Sequence, residues 1–174
     1  MGAGATLGSL DGLAAGPNFA MVSSPSDPYD ADKAYKDSKL CGVLFACELS
    51  RRLAADGRGV TVNAFGPGLI TRSQFFRNQN RLFVRLFDFA VNDVFHVAET
   101  PEGGGSCLAF MATDPSLEGV SGAYYNNELD GPLLRGGHKF TRREPSQEAR
   151  NEDEAALLWD LSAKLVGLET LTAA

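Results

Sequence analysis

Tyr35-Lys36-Asp37-Ser38-Lys39 opens a stretch with apolar residues at Leu40, Val43, Leu44, Cys47 and Leu53, and Val60-Thr61-Val62-Asn63-Ala64-Phe65-Gly66-Pro67-Gly68 follows it. The first stretch has helical spacing, which predicts a helix over 34–55 closed by Asp56-Gly57. The second is β-branched and ends at a Gly-Pro-Gly stop, which predicts a short strand over 60–65. On the predicted helix Tyr35 and Lys39 fall on one face, one turn apart. An ammonium beside a phenol stabilises the phenolate left after a proton is given up, so Tyr35 reads as a proton donor assisted by Lys39.

Working outward, residues 1–33 are rich in Gly, Ala, Ser and Pro and read as a loop-rich lead-in. Gly2-Ala3-Gly4-Ala5-Thr6-Leu7-Gly8 has no strand before it and one residue too many for a dinucleotide fingerprint, so it too reads as loop. Residues 73–95 interleave Phe75, Phe76, Phe83, Phe87, Phe89 and Phe95 with Arg77, Arg81 and Arg85, and are expected to be helical in part. Thr100-Pro101-Glu102 is a helix start, with Thr100 as cap and Pro101 at the first position, and the helix runs to Asp114-Pro115. Gly122–Asn126 reads as a second strand, 127–144 as a loop containing Gly and Arg, and about 146–166 as an amphipathic helix carrying Leu158, Trp159, Leu161 and Leu165. The acidic run over 144–154 reads as a solvated helix start with favourable dipole placement.

Alternation of helix and strand predicts an α/β fold with parallel pairing, in one domain over 1–174. Two strands do not make a stable parallel sheet, so the strand over 60–65 is expected to leave an open edge for a protein partner to cover.

Of the 174 residues 44% are hydrophobic and 22% charged, ordinary for a globular protein. A net charge of −6 argues against nucleic acid as a partner. Cys41, Cys47 and Cys107 have no paired spacing and are odd in number, which points to thiols in a reducing compartment. His96 and His138 lie far apart with no ligand motif around them, so no metal is expected. No apolar run reaches the length of a membrane span, and no leader pattern is expected at the N-terminus.

The Tyr-Lys-Asp-Ser-Lys-Leu-Cys string at 35–41 resembles the active-site helix of light-dependent protochlorophyllide oxidoreductases, within the short-chain dehydrogenase/reductase superfamily. So do Leu7–Leu13, Asp114-Pro115-Ser116-Leu117, Gly122–Asn126 and the closing Trp159–Leu168 string, so the resemblance runs from about 7 to 168 in order. It implies the C-terminal half of a Rossmann-like fold, with few parallel strands and flanking helices. It also implies NADPH as cofactor, light-driven reduction of a ring double bond in protochlorophyllide or a related tetrapyrrole, and Tyr35 as proton donor. Lys39 would hold the nicotinamide ribose, and Pro67, Gly68, Ile70 and Thr71 would line the nicotinamide. The setting it implies is the chloroplast, soluble or peripheral to the thylakoid membrane, with segment 72–95 as lid and peripheral membrane contact.

The resemblance also places the nucleotide-binding half upstream of residue 1. Leu69 stands where the family has a cysteine, and Arg72 falls on the position of a carboxamide-contacting threonine, for which Thr71 or Ser73 would substitute. Ser23 and Ser24 are the candidates for the remaining catalytic hydroxyl. Two functions are therefore expected in competition. One is a protochlorophyllide-reductase-like enzyme without autonomous activity in this stretch of chain. The other is a non-catalytic accessory or scaffold subunit of a plastid pigment–protein complex. A general NADPH-dependent carbonyl reductase is a third.

Overall fold

The computed structural model describes residues 31–73, 76–77, 79–131 and 137–168. The expected lead-in loop up to residue 30, the Gly2–Gly8 stretch, the Leu7–Leu13 string, Ser23, Ser24 and Phe75 lie outside the described residues. The chain divides into two compact units, one holding residues up to Ala64 together with those from Glu144 onward, the other Phe65–Arg143.

The first unit is built on helix α1 (Ala31–Ala55), which begins three residues earlier than the sequence predicts. It ends where Gly57 takes φ +65, the left-handed conformation that glycine adopts at helix ends. Leu40 and Leu44 are fully buried, and Val43 and Ala46 nearly so. Each buried leucine contributes about 1.5–3 kcal/mol. The helix packs against α4 (Glu152–Leu165) and the 3-10 turn Glu148–Arg150 before it. Ala149, Ala155 and Leu158 are buried, whereas Leu165 remains exposed. The start of α4 falls at Glu152 rather than near 146, because the Asn151 side chain accepts from the Glu154 amide at 3.2 Å and caps the helix there.

Polar contacts in this unit centre on Glu48, whose carboxylate is buried in α1. Arg52 Nε donates to its Oε1 at 2.6 Å, and Arg51 pairs with its Oε2. Arg51 also donates to the Glu152 carbonyl at 3.3 Å. The Arg52 guanidinium lies 4.7 Å from the centre of the Trp159 ring, which stacks on Phe45 at 5.1 Å.

The second unit is α/β. Its sheet is mixed and three-stranded, in the order β1 (Ala64–Gly66), β2 (Tyr124–Asp130), β3 (Gly137–Arg143). β2 and β3 run antiparallel, in register from Tyr124 opposite Arg143 to Asp130 opposite Gly137, so β1 and β2 form the parallel pair. Two expectations are corrected. Residues 127–130 and 137–143 are not loop but strand, forming an antiparallel pair that carries few large apolar residues. It is held by its ladder, by Phe140 among Phe65, Phe110 and Tyr125 with ring centres 5.6–6.0 Å away, and by Arg143 on Glu128 at 2.6 Å. The first strand is only three residues long, since β2 pairs with Ala64–Gly66 and Val60 stands exposed. Among the described residues, no strand pairs with the other edge of β1.

Helical elements complete the unit, among them a 3-10 turn at Pro115–Leu117. α2 (Arg81–Phe89) is capped by Asn80, whose side chain accepts from the Leu82 and Phe83 amides, and it continues as a π-helical turn, Ala90–Val94. α3 (Pro101–Thr113) starts as predicted, with the Gly103 amide on Thr100 Oγ1 at 2.9 Å and Pro101 in the first turn. Gly104 of α3 sits against Ile70, where a Cβ would run into Ile70 Cδ1. That contact explains a glycine that costs about 0.5–1 kcal/mol in a helix interior.

Candidate active site

Tyr35 and Lys39 stand on α1 as the spacing predicts. Lys39 Nζ lies 5.2 Å from the centre of the Tyr35 ring, within cation–π range. Tyr35 is 44% exposed and Lys39 is exposed, so the pair lies at the surface of the helix. Asp37, the nearest carboxylate in sequence, is paired with Lys33 at 2.5 Å. Ser38 Oγ donates to the Tyr35 carbonyl at 2.7 Å, which turns that hydroxyl onto the backbone of the same helix.

The turn at 67–71 belongs to the second unit. Gly68 has φ +93, a conformation that side chains oppose, and a Cβ there would lie 3.3 Å from Glu99 Cβ. The Pro67 carbonyl accepts from Asn127 Nδ2 at 3.2 Å, and the Leu69 carbonyl from the Glu99 amide at 2.7 Å. Ile70 packs toward Gly104 and accepts from the Ser73 hydroxyl at 2.8 Å. Thr71 is buried and its hydroxyl is committed: it donates to Asp88 Oδ1 at 2.5 Å and accepts from Asn92 Nδ2 at 2.9 Å. Leu69 is half-exposed, and Arg72 reaches Asp88 at 3.8 Å.

Behind the turn lies a polar cluster that sequence reasoning missed. Asn127 Nδ2 donates to Glu99 Oε2 at 2.7 Å as well as to Pro67. Glu99 Oε1 accepts from the Thr100 amide at 2.6 Å, and His138 Nδ1 lies 3.6 Å from Glu99 Oε2. Burial alone would raise the Glu99 carboxyl, but the Thr100 amide, the Asn127 side chain and the His138 ring outweigh it and hold it below the usual range. Burial pushes the Cys107 thiol up, and the Glu99 charge adds to that shift. Burial likewise raises Cys41 and Cys47, which sit half-buried on α1.

Comparison with known proteins finds relatives along nearly the whole chain. The chain is 36% identical over 166 residues to a chloroplastic protochlorophyllide reductase of Marchantia paleacea, covering 94% of this chain and 34% of that protein. It is 36% identical over 171 residues to a protochlorophyllide reductase of Avena sativa, covering 94% and 50%. It is also 35% identical over 161 residues to a WW domain-containing oxidoreductase of Homo sapiens, covering 92% and 33%. The chain belongs to the short-chain dehydrogenase/reductase superfamily. No family model matches it. It spans between about a third and a half of the length of these relatives.

The second unit has an open cavity among its described residues. It encloses about 750 Å³, lined by Thr71, Arg72, Phe76, Arg77, Gln79, Arg81, Leu82, Val84, Arg85 and Asp88. Four guanidinium groups against one carboxylate make it strongly cationic, and Phe76, Leu82 and Val84 give it an apolar side. Among the described residues, no group of three His, Cys, Asp or Glu side chains is arranged to hold a metal, and no helix is long and apolar enough to cross a membrane.

Proposed function

We propose that this chain supplies the proton-donating and nicotinamide-contacting parts of an NADPH-dependent oxidoreductase acting on protochlorophyllide or a related tetrapyrrole in the chloroplast. The observation that carries this reading is the Tyr35–Lys39 pair, a phenol and an ammonium on one exposed face of α1, 5.2 Å apart from ring centre to nitrogen. The residues fit the cofactor in two respects. Lys39 offers an exposed ammonium to a ribose, and the Pro67–Gly68 turn, where Gly68 takes φ +93, is held in a fixed shape by Asn127 and Glu99. NADPH would supply the hydride. Tyr35 gives the balancing proton to the reduced substrate, and Lys39 stabilises the phenolate left behind. Pro67, Gly68 and Ile70 shape the nicotinamide contact, while Thr71, bonded inward to Asp88, acts by fixing that turn.

The substrate class rests on the protochlorophyllide reductases among the relatives and on the cationic, partly apolar cavity, which suits a flat macrocycle bearing a carboxylate. Leu82, Phe83, Leu86 and Phe89 stand exposed on α2, with Arg81 and Arg85 on the same helix. That combination supports peripheral membrane contact through 72–95.

A second reading, a non-catalytic accessory subunit docking through the open edge of β1, is favoured by Leu69 in the turn and by the lack of a strand on that edge among the described residues. NADPH oxidation with protochlorophyllide under illumination separates the two. Light-dependent turnover that falls at least a hundredfold in Tyr35→Phe supports the enzyme, on the scale of general acid catalysis, roughly 10²–10⁴-fold. Turnover unchanged in Tyr35→Phe refutes the assigned role, and no turnover together with no NADPH binding moves the chain to the second reading. Reduction of simple carbonyls in the dark would instead mark a general carbonyl reductase.

A further inference from the structure

We propose that Asn127 and Glu99 are positioning residues that clamp the Pro67–Gly68 turn in its working shape. The inference rests on the reading of that turn as cofactor-facing. The two hydrogens of the Asn127 amide are both in use, one on Glu99 Oε2 at 2.7 Å and one on the Pro67 carbonyl at 3.2 Å. A carboxylate only accepts, so Glu99 dictates which end of the amide points inward and keeps a donor aimed at Pro67. Glu99 closes the other side of the turn through its own amide, which donates to the Leu69 carbonyl at 2.7 Å.

The clamp is itself held. Glu99 Oε1 takes the Thr100 amide at 2.6 Å, at the start of α3. His138 stands behind Glu99 from β3, its Nε2 3.3 Å from the Val97 carbonyl. A carbonyl only accepts, so that nitrogen carries the hydrogen and the ring orientation is fixed. Asn127 is 7% exposed, and Gly68 lies against it, with a Cβ there 3.5 Å from Asn127 Nδ2. The left-handed Gly68 turn is therefore tied by two bonds to the Asn127–Glu99 pair. Apolar filling of the same volume would leave the Pro67 carbonyl without this donor.

Three variants separate positioning from mere support. Asn127→Asp turns a donor into an acceptor against both Glu99 and Pro67. Adding Glu99→Gln restores the side-chain pair with donor and acceptor exchanged, yet nothing then donates to the Pro67 carbonyl. Asn127→Leu keeps the shape without the donor and serves if the acidic variant does not fold. The readouts are the thermal midpoint, hydrogen exchange of the backbone amide at position 99, and an NADPH titration.

We expect Asn127→Asp to lose stability, and the double variant to recover its midpoint to within about 3 °C of the parent. Exchange at position 99 stays about tenfold faster and NADPH binding about tenfold weaker in the double variant, as in Asn127→Leu. Exchange and binding restored along with the midpoint would overturn the proposal, leaving Asn127 with a packing role. If the parent binds no NADPH, the cofactor reading of the turn fails, and the exchange rates still decide whether the clamp exists.

Discussion

Deleting either arginine beside Glu48 is expected to cost more stability than deleting Glu48 itself. The carboxylate is 4% exposed, whereas the side chains of Arg51 and Arg52 are 42% and 40% exposed. Removing one arginine leaves the buried carboxylate with a single cation and removing both strands it, but removing the glutamate leaves two cations that water can reach. Arg52→Ala loses a charge-assisted bond of about 1.5–3 kcal/mol, taken at its lower end because the guanidinium is solvated, and a Trp159 contact of about 0.5–1 kcal/mol. The sum is about 2–2.5 kcal/mol. Removing both arginines approaches the roughly 3–5 kcal/mol of a broken buried pair. Glu48→Leu, which fills the same space with an apolar side chain, costs about 0–1.5 kcal/mol. Urea unfolding followed by circular dichroism reads this directly. With a slope of about 2 kcal/mol/M, the double arginine variant shifts the midpoint down by about 2 M and Glu48→Leu by less than about 0.8 M. A glutamate variant at least as damaging as the double arginine variant would refute the desolvation argument.

Gly68→Ala forces a side chain into a left-handed position against Glu99, and it should lose about 1–3 kcal/mol in thermal unfolding, where an alanine at Gly105, with open space around it, should not. The Glu99 carboxyl is held below its unfolded-state range, so its stabilisation is complete above the unfolded value of about 4.3 and is lost as pH falls through the folded value; urea midpoints from pH 7 to pH 3 should fall more steeply in the parent than in Glu99→Gln. All three thiols are raised by burial, so alkylation at pH 7 should be slow, with Cys107 reacting last and only as the second unit opens.

The sequence carries the local parts of this structure well. Tyr35 and Lys39 are one turn apart on a helix with a regular apolar stripe, and Thr100-Pro101 marks a helix start through chemistry contained in two residues. The antiparallel pair was not legible in the same way. Gly137–Arg143 has one large apolar residue, Phe140, and its stability comes from pairing with β2 and from a ring cluster assembled across the unit. The clamp has no local spacing either: Glu99, Asn127 and His138 come from a loop and two strands and meet only after folding. The one available hint was a glutamate directly before a Thr-Pro cap, a residue held beside a helix start. The π-helical turn Ala90–Val94 and the left-handed His96 that follows, at φ +51, have no signature in residue type. They arise where the chain must turn back so that the Val97 and Ala98 amides both reach the Val91 carbonyl.

Fluorescence titration of the chain with NADPH, beside Lys39→Ala and Tyr35→Phe, tests the central claim most directly. The account predicts saturable binding that weakens at least tenfold in Lys39→Ala and changes little in Tyr35→Phe, since the lysine holds the cofactor and the tyrosine delivers the proton. Binding unaffected by Lys39→Ala, or absent at millimolar NADPH in the parent chain, would contradict it.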